Sequence, residues 1–175
     1  EKEGFFHYWE ETDLSNIRRN YKVHAVYVPW TRTIASSEDP MPSVLAEAAF
    51  YPNTRLVIQE SGEETFASGQ LAEAVPPGLR VVKSITYDIQ PSGETVLPDT
   101  VTLHVLAEKA DRVGILRDGA IEPVEAVKDG DYLVFQAASG GEIVVMQRSL
   151  PWRYLLAAAG VAVMAAGWQM TRKKG

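Results

Sequence analysis

No cysteine occurs anywhere in the chain, which excludes disulfides, thiolate metal sites and cysteine nucleophiles from the start. Histidine is almost as scarce: His7, His24 and His104 are the only three, and no two stand at a metal-ligand spacing. His104, between Leu103 and Val105, reads as a solvent-facing strand residue. The sequence also lacks a G-x-S-x-G elbow, a Gly-rich phosphate loop and an H-E-x-x-H pair, and with them three common routes to catalysis. Lys128-Asp129-Gly130-Asp131 has the opening of a Ca²⁺ loop but not the acids required further on, so it reads as a hairpin turn. The pairs Glu10-Glu11 and Glu63-Glu64 read as solvated acidic surface rather than as an acid and base pair. The reading is therefore of a protein that is not an enzyme, with no cofactor and no metal.

Positive charge is in deficit as well. Of the 17 bases, four fall after residue 150, where there is no acid, so the first 150 residues set 13 bases against 23 acids. A segment with that excess of negative charge repels nucleic acid and anionic bilayers, and nucleic acid is excluded as a partner.

What the sequence does have is a terminal apolar run. From Tyr154 to Met170 no residue is charged, and seventeen helical positions span about 25 Å, near the lower limit for crossing a bilayer. A helix of Ala, Leu and Met satisfies its own backbone groups, as lipid requires. Trp152, Tyr154 and Trp168 stand at the two ends, where amphipathic rings prefer the headgroup layer, and Arg172, Lys173 and Lys174 follow as a basic stop. Leu155, Leu156, Val161, Val163 and Met164 supply the bulk of the apolar surface. Residues 150–175 are thus expected to be a single membrane span with the C-terminus cytoplasmic and the rest of the chain outside the cell. The chain opens on Glu1 with no charged-then-apolar leader, so it is expected to be the C-terminal part of a longer exported protein.

Upstream, short strands and turns dominate. Runs at about 5 to 9 and 21 to 28 are β-prone, and in the second Val23, Ala25 and Tyr27 alternate with Lys22, His24 and Val26. Residues 31–43, rich in Ser, Pro and charge, read as a linker. "VLAEAAF" and "TRLVIQE" flank a Tyr-Pro-Asn turn and read as a strand pair, whereas "ETFASGQLAEAV" has helical composition. "LRVVKSITYDIQ", "DTVTLHVLA" and the text from Arg112 to Arg148 read as successive strands. Asp118-Gly119, Asp129-Gly130 and Ser139-Gly140-Gly141 offer the positive φ that tight hairpins need. Residues 44–149 are therefore expected to form an antiparallel, Ig-like β-sandwich, making the whole a mainly β protein with one C-terminal transmembrane α-helix.

Particular residues resemble known families. "FFHYWEETDLSNIRRNYKVHAVYVPW" resembles the closing half of a Listeria–Bacteroides (internalin B-type) repeat, with Phe6, Trp9, Val23, Ala25, Val26 and Tyr27 in the places of its aromatic and "tVtAvY" positions. Residues 1–30 would then be the remnant of an incomplete β-grasp-type repeat. Residues 80–146 are similar to a β-sandwich module found near the C-terminus of clostridial and other Gram-positive surface proteins. Such proteins often end in a sortase signal, but here Arg153 stands where the scissile Thr belongs and Tyr154 where Gly belongs. That departure favours permanent membrane anchorage over covalent attachment to the wall.

Two side-chain groups raise sharper questions. In "VVKSITYDI", Val81, Lys83, Ile85, Tyr87 and Ile89 fall on one strand face, which puts Lys83 among apolar neighbours. Some surface sandwiches join such a lysine to Asn or Asp through an isopeptide bond, and an intact mass short by one ammonia or one water would report it. Trp9, Tyr21, Tyr27 and Trp30 read either as strand-packing groups or as a carbohydrate-stacking surface. The expected function is a membrane-anchored, non-catalytic stalk or adhesin module that displays upstream repeats and meets a host protein, envelope protein or glycan. The alternative is the ectodomain of a single-pass envelope sensor or assembly subunit that binds another membrane protein.

Overall fold

The computed structural model describes residues 4–10, 23–62, 73–92, 95–107 and 109–149. Two strands come first, β1 (Phe5–Glu10) and β2 (His24–Val28), and form a two-stranded antiparallel sheet. Ten more follow: β3 (Thr31–Ala35), β4 (Val44–Phe50), β5 (Arg55–Gly62), β6 (Leu79–Gln90), β7 (Val101–Leu106), β8 (Arg112–Arg117), β9 (Ala120–Val124), β10 (Val127–Asp129), β11 (Tyr132–Ala137) and β12 (Gly140–Arg148). They make two five-stranded antiparallel sheets, one in the order β10-β11-β7-β4-β3 and the other β5-β6-β12-β8-β9. The protein is mainly β, and its described part is a β-sandwich.

Alternation builds the interior. In β7, Val101, Leu103 and Val105 are buried while Thr102, His104 and Leu106 are only partly covered. They join Val44, Ala46, Leu133 and Phe135 of the same sheet and meet Leu56, Ile85, Tyr87, Ile89, Ile143 and Val145 of the other in one cluster. Each such aliphatic side chain withdrawn from water contributes about 1.5–3 kcal/mol. In β12 the alternation disappears, because Ile143, Val144, Val145 and Met146 are all buried. Val144 and Met146 belong to a second cluster with Val81 and Ile121, against which Ala74, Val75, Leu79 and Leu116 pack. The centre of this sheet is thus covered on both faces, which is why "IVVM" is a continuous apolar run.

A bulge explains the membership of Val81. Along β12 the partner changes from Lys83, opposite Val145, to Val81, opposite Met146, so Val82 is an extra residue in β6. An inserted residue turns the strand over. Val81 therefore joins the outer cluster, and the expected single face of Val81, Lys83, Ile85, Tyr87 and Ile89 loses its first member.

Three other expectations change. The stretch 31–43, read as a linker, contains β3, which pairs with β4 and forms the edge of one sheet. Strands β4 and β5 are both present but belong to opposite sheets, not to one pair. The turn between them is closed by Thr54, whose N–H and hydroxyl both donate to the Tyr51 carbonyl, with Asn53 at φ 64°, and the chain uses it to change layers. Ser139-Gly140-Gly141 is also a passage between layers, from β11 to β12, rather than a hairpin. The other two turns close hairpins as expected. Asp118 and Gly119, at φ 50° and 77°, join β8 to β9, and Gly130, at φ 58°, lies between β10 and β11.

The segment of helical composition at 64–75 lies mostly outside the described residues, as does all of 150–175. Among the described residues no helix is long and apolar enough to cross a membrane.

Candidate functional site

Lys83 lies on the inner face of β6, opposite Val145, near the end of the sandwich. Its ammonium sits 3.7 Å from the Glu60 carboxylate, and its side chain is 21% exposed against 37% for Glu60. An ion pair open to water on one side contributes no more than about 1 kcal/mol. Val82, Lys83, Leu106, Ala107, Lys109 and Ala110 line a pocket of about 250 Å³ there. Of the chain's three asparagines, Asn53 occupies the β4–β5 turn, and Asn16 and Asn20 lie outside the described residues.

The residues expected to form a membrane anchor, Trp152, Tyr154, Leu155, Leu156, Val161, Val163, Met164, Trp168, Arg172, Lys173 and Lys174, also lie outside the described residues. The chain leading to them is well fixed. After β12, the Ser149 N–H donates to the Gly78 carbonyl at 2.8 Å, and the Arg148 guanidinium lies 3.5 Å from the Asp111 carboxylate.

The aromatic residues divide between packing and exposure. Phe5 of β1 meets Trp30 edge to face, with centroids 6.0 Å apart, and lies 5.2 Å from the ring of Tyr51. Tyr51 also pairs through its hydroxyl with His7 Nδ1 at 3.3 Å, so the β1–β2 hairpin is tied to the sandwich where β4 turns toward β5. On the opposite side of the hairpin Phe6 and Tyr27, cross-strand partners, are exposed and in edge-to-face contact; Tyr8, paired with Val26 beyond a register shift, is exposed as well. Tyr27 is exposed because a two-stranded sheet has no second layer to cover it there. Tyr21 and the side chain of Trp9 lie outside the described residues.

Trp30 also lines a concavity. It shares a shallow groove of about 520 Å³ with Arg32, Thr33, Glu47, Ala48 and Ala49. The groove exists because β3 and β4 slip in register. Thr33 pairs with Glu47 but Thr31 with Phe50, so β4 carries one residue more than β3 across this interval. Bulges at sheet edges re-aim side chains in this way. Sequence reading singled out Trp30 but not its partners. The only local signal was the pair of small residues Ala48-Ala49 beside Glu47, and it becomes meaningful only once the β3–β4 register is known.

His104 lies on the outer face as expected, yet its side chain is largely covered. Its ring meets Tyr132 edge to face, and Nε2 stands 3.4 Å from a Glu47 carboxylate oxygen without a hydrogen bond among the described residues.

Tyr87 secures the passage from β11 to β12. Its ring is 4% exposed, its hydroxyl donates to the Ala138 carbonyl at 2.8 Å, and the neighbouring Ser139 hydroxyl donates to the Pro98 carbonyl. Burial pushes the Tyr87 phenol up to about 12, with Arg117 pulling weakly the other way. The neutral phenol is thus favoured in the folded state. Its contribution is complete below pH 10 and is lost as pH rises from 10 toward 12, by about 2–3 kcal/mol for a shift of this size. Urea unfolding of Tyr87→Phe is expected to show a loss of about 1 kcal/mol at pH 7 and a flatter decline than wild type above pH 10. Parallel declines in the two proteins would disprove this role.

Comparison of the chain with family models, with curated proteins and with solved structures gave no match. Fold and surface define a class only: a mainly β sandwich with a tethered hairpin, an edge groove, and, among the described residues, no metal-binding cluster.

Proposed function

We propose that the chain is the membrane-proximal part of a single-pass surface protein of Gram-positive type, in which the sandwich is a non-catalytic stalk or adhesive module. The observation that carries this reading is the way β12 leaves the sandwich. β12 pairs with β6 over nine residues and with β8 over five, so it lies in the interior of its sheet, and it ends at Arg148, just before the apolar terminal run. A pull from a membrane anchor would enter the central strand of its sheet, which is paired along both edges. The hydrogen bond from Ser149 to Gly78 supports this reading by fixing the exit point.

On this reading residues 1–30 belong to a β-grasp-type repeat. The exposed rings of Phe6 and Tyr27 are the surface that the rest of the repeat would cover. The acidic composition keeps the stalk soluble and away from anionic headgroups.

The full chain, expressed in a Gram-positive host behind an export signal, is expected in the carbonate-washed membrane pellet. Its sandwich should be open to external protease and its basic end protected. Deleting residues 150–175 should move it to the medium. Full-length chain in the carbonate supernatant, or a basic end cut from outside, would reject the anchor.

A further inference from the structure

The groove beside Trp30 has a composition that selects a class of ligand. It combines an indole, a carboxylate (Glu47), a guanidinium (Arg32), a hydroxyl (Thr33) and two small side chains, Ala48 and Ala49, in a space of about 520 Å³. We propose that this groove binds neutral pyranose sugars. A pyranose ring presents an apolar C–H face bordered by hydroxyls. Such a face packs on an aromatic side chain, and the hydroxyls need donors and acceptors together. Glu47 accepts and Arg32 donates, while Thr33 can do either. The alanines at the register slip leave room beside the indole that larger side chains would fill.

Charge decides between neutral and acidic sugars. Arg32 and Glu47 balance within the groove, and the first 150 residues hold 23 acids against 13 bases. A uronic or sialic acid would be repelled by that excess, whereas a neutral sugar is indifferent to it. Phe5 braces Trp30 edge to face, which holds the indole in place before a ligand arrives.

The proposal names a ligand class for the adhesive role and rests on that reading for its biological sense, although binding itself does not require the membrane anchor. Its test uses the full chain in a sugar-free zwitterionic detergent, with cellobiose, lactose, maltose and N,N′-diacetylchitobiose as probes and digalacturonic acid as the acidic comparison. Saturation-transfer NMR and calorimetric titration are expected to detect at least one neutral disaccharide in the millimolar range or tighter. Affinity should fall about tenfold or more in Glu47→Gln and in Ala49→Phe, which fills the groove from an exposed position and leaves the core intact. Circular dichroism checks the fold of each variant. No binding by any of the four neutral sugars, binding of the acidic sugar alone, or unchanged affinity in folded Ala49→Phe would overturn the assignment. Membrane fractionation of the unaltered chain separates this result from the anchor: absence of sugar binding in a chain that still pellets disproves the groove and not the span.

Discussion

Replacing Phe50 with alanine is expected to lower the unfolding free energy of the sandwich by about 3–5 kcal/mol. Phe50 closes β4 and is 1% exposed, one of the largest side chains wholly withdrawn from water in the fold. It belongs to the main cluster, in which residues from both sheets meet. Its backbone pairs with Thr31 at the end of the β3–β4 ladder, just before the chain changes layers. The surroundings cannot close over the vacated space easily, because strands held by ladders on both sides move only together. The loss therefore includes a cavity contribution beyond the transfer of the ring. Urea denaturation checks it: the midpoint should fall while the dependence on urea stays unchanged. A shift below about 1 kcal/mol would mean that Phe50 does not fill the interior as described.

Valine at position 114 is expected to cost about 3 kcal/mol or more, against its ordinary preference for strands. Gly114 lies in β8, with Val144 opposite on β12 and Pro123 opposite on β9. A Cβ there would stand 2.5 Å from Ile121 Cγ2, 3.0 Å from the Glu122 carbonyl oxygen and 3.2 Å from Met146 Cε. Ile121 and Met146 are members of the small outer cluster, so the glycine makes room for that second layer. The side chains of Ile121 and Met146 can shift, but the Glu122 carbonyl is part of the β8–β9 ladder and can yield only by breaking it. Gly114→Ala should lose less than Gly114→Val, and Gly114→Ala combined with Ile121→Val should recover part of the loss. Thermal unfolding of the three variants tests the order. A valine variant as stable as wild type would show that the outer cluster does not pack on β8.

Much of this architecture was readable from local pattern. Val101, Leu103 and Val105 alternate with polar or half-covered neighbours, which is the signature of a strand with one buried face, and β7 follows it. Asp118-Gly119 takes the positive φ that a two-residue hairpin turn requires, as the residue types demand. What local pattern could not supply was the partner of each strand. The Tyr-Pro-Asn turn after β4 and the Ser-Gly-Gly turn after β11 look like hairpin signals, yet both carry the chain across to the other sheet. A turn sequence fixes the local dihedral angles and not the layer that the next strand joins. Period-two reasoning also failed at β6, where the extra Val82 sends Val81 to the opposite face. No feature of "LRVVKSITYDIQ" alone announces the insertion. It follows from register against β12.

The groove shows the same division more sharply. Trp30 stood out as an aromatic residue that either packs or binds, and the sequence left both open. Arg32, Thr33 and Glu47 are ordinary polar residues at ordinary strand positions, and they become a site only because β3 and β4 slip past each other by one residue.

Taken alone, the order of amino acids determined that this chain is strand-rich, free of thiol chemistry and acidic before its last 25 residues, because those properties depend on residue type and spacing along one dimension. Only the tertiary structure decided which strands share a sheet, which face Val81 takes, and that Trp30, Arg32 and Glu47 border one groove. Pairing between distant strands is chosen by the burial of both faces at once, and no local stretch contains that information.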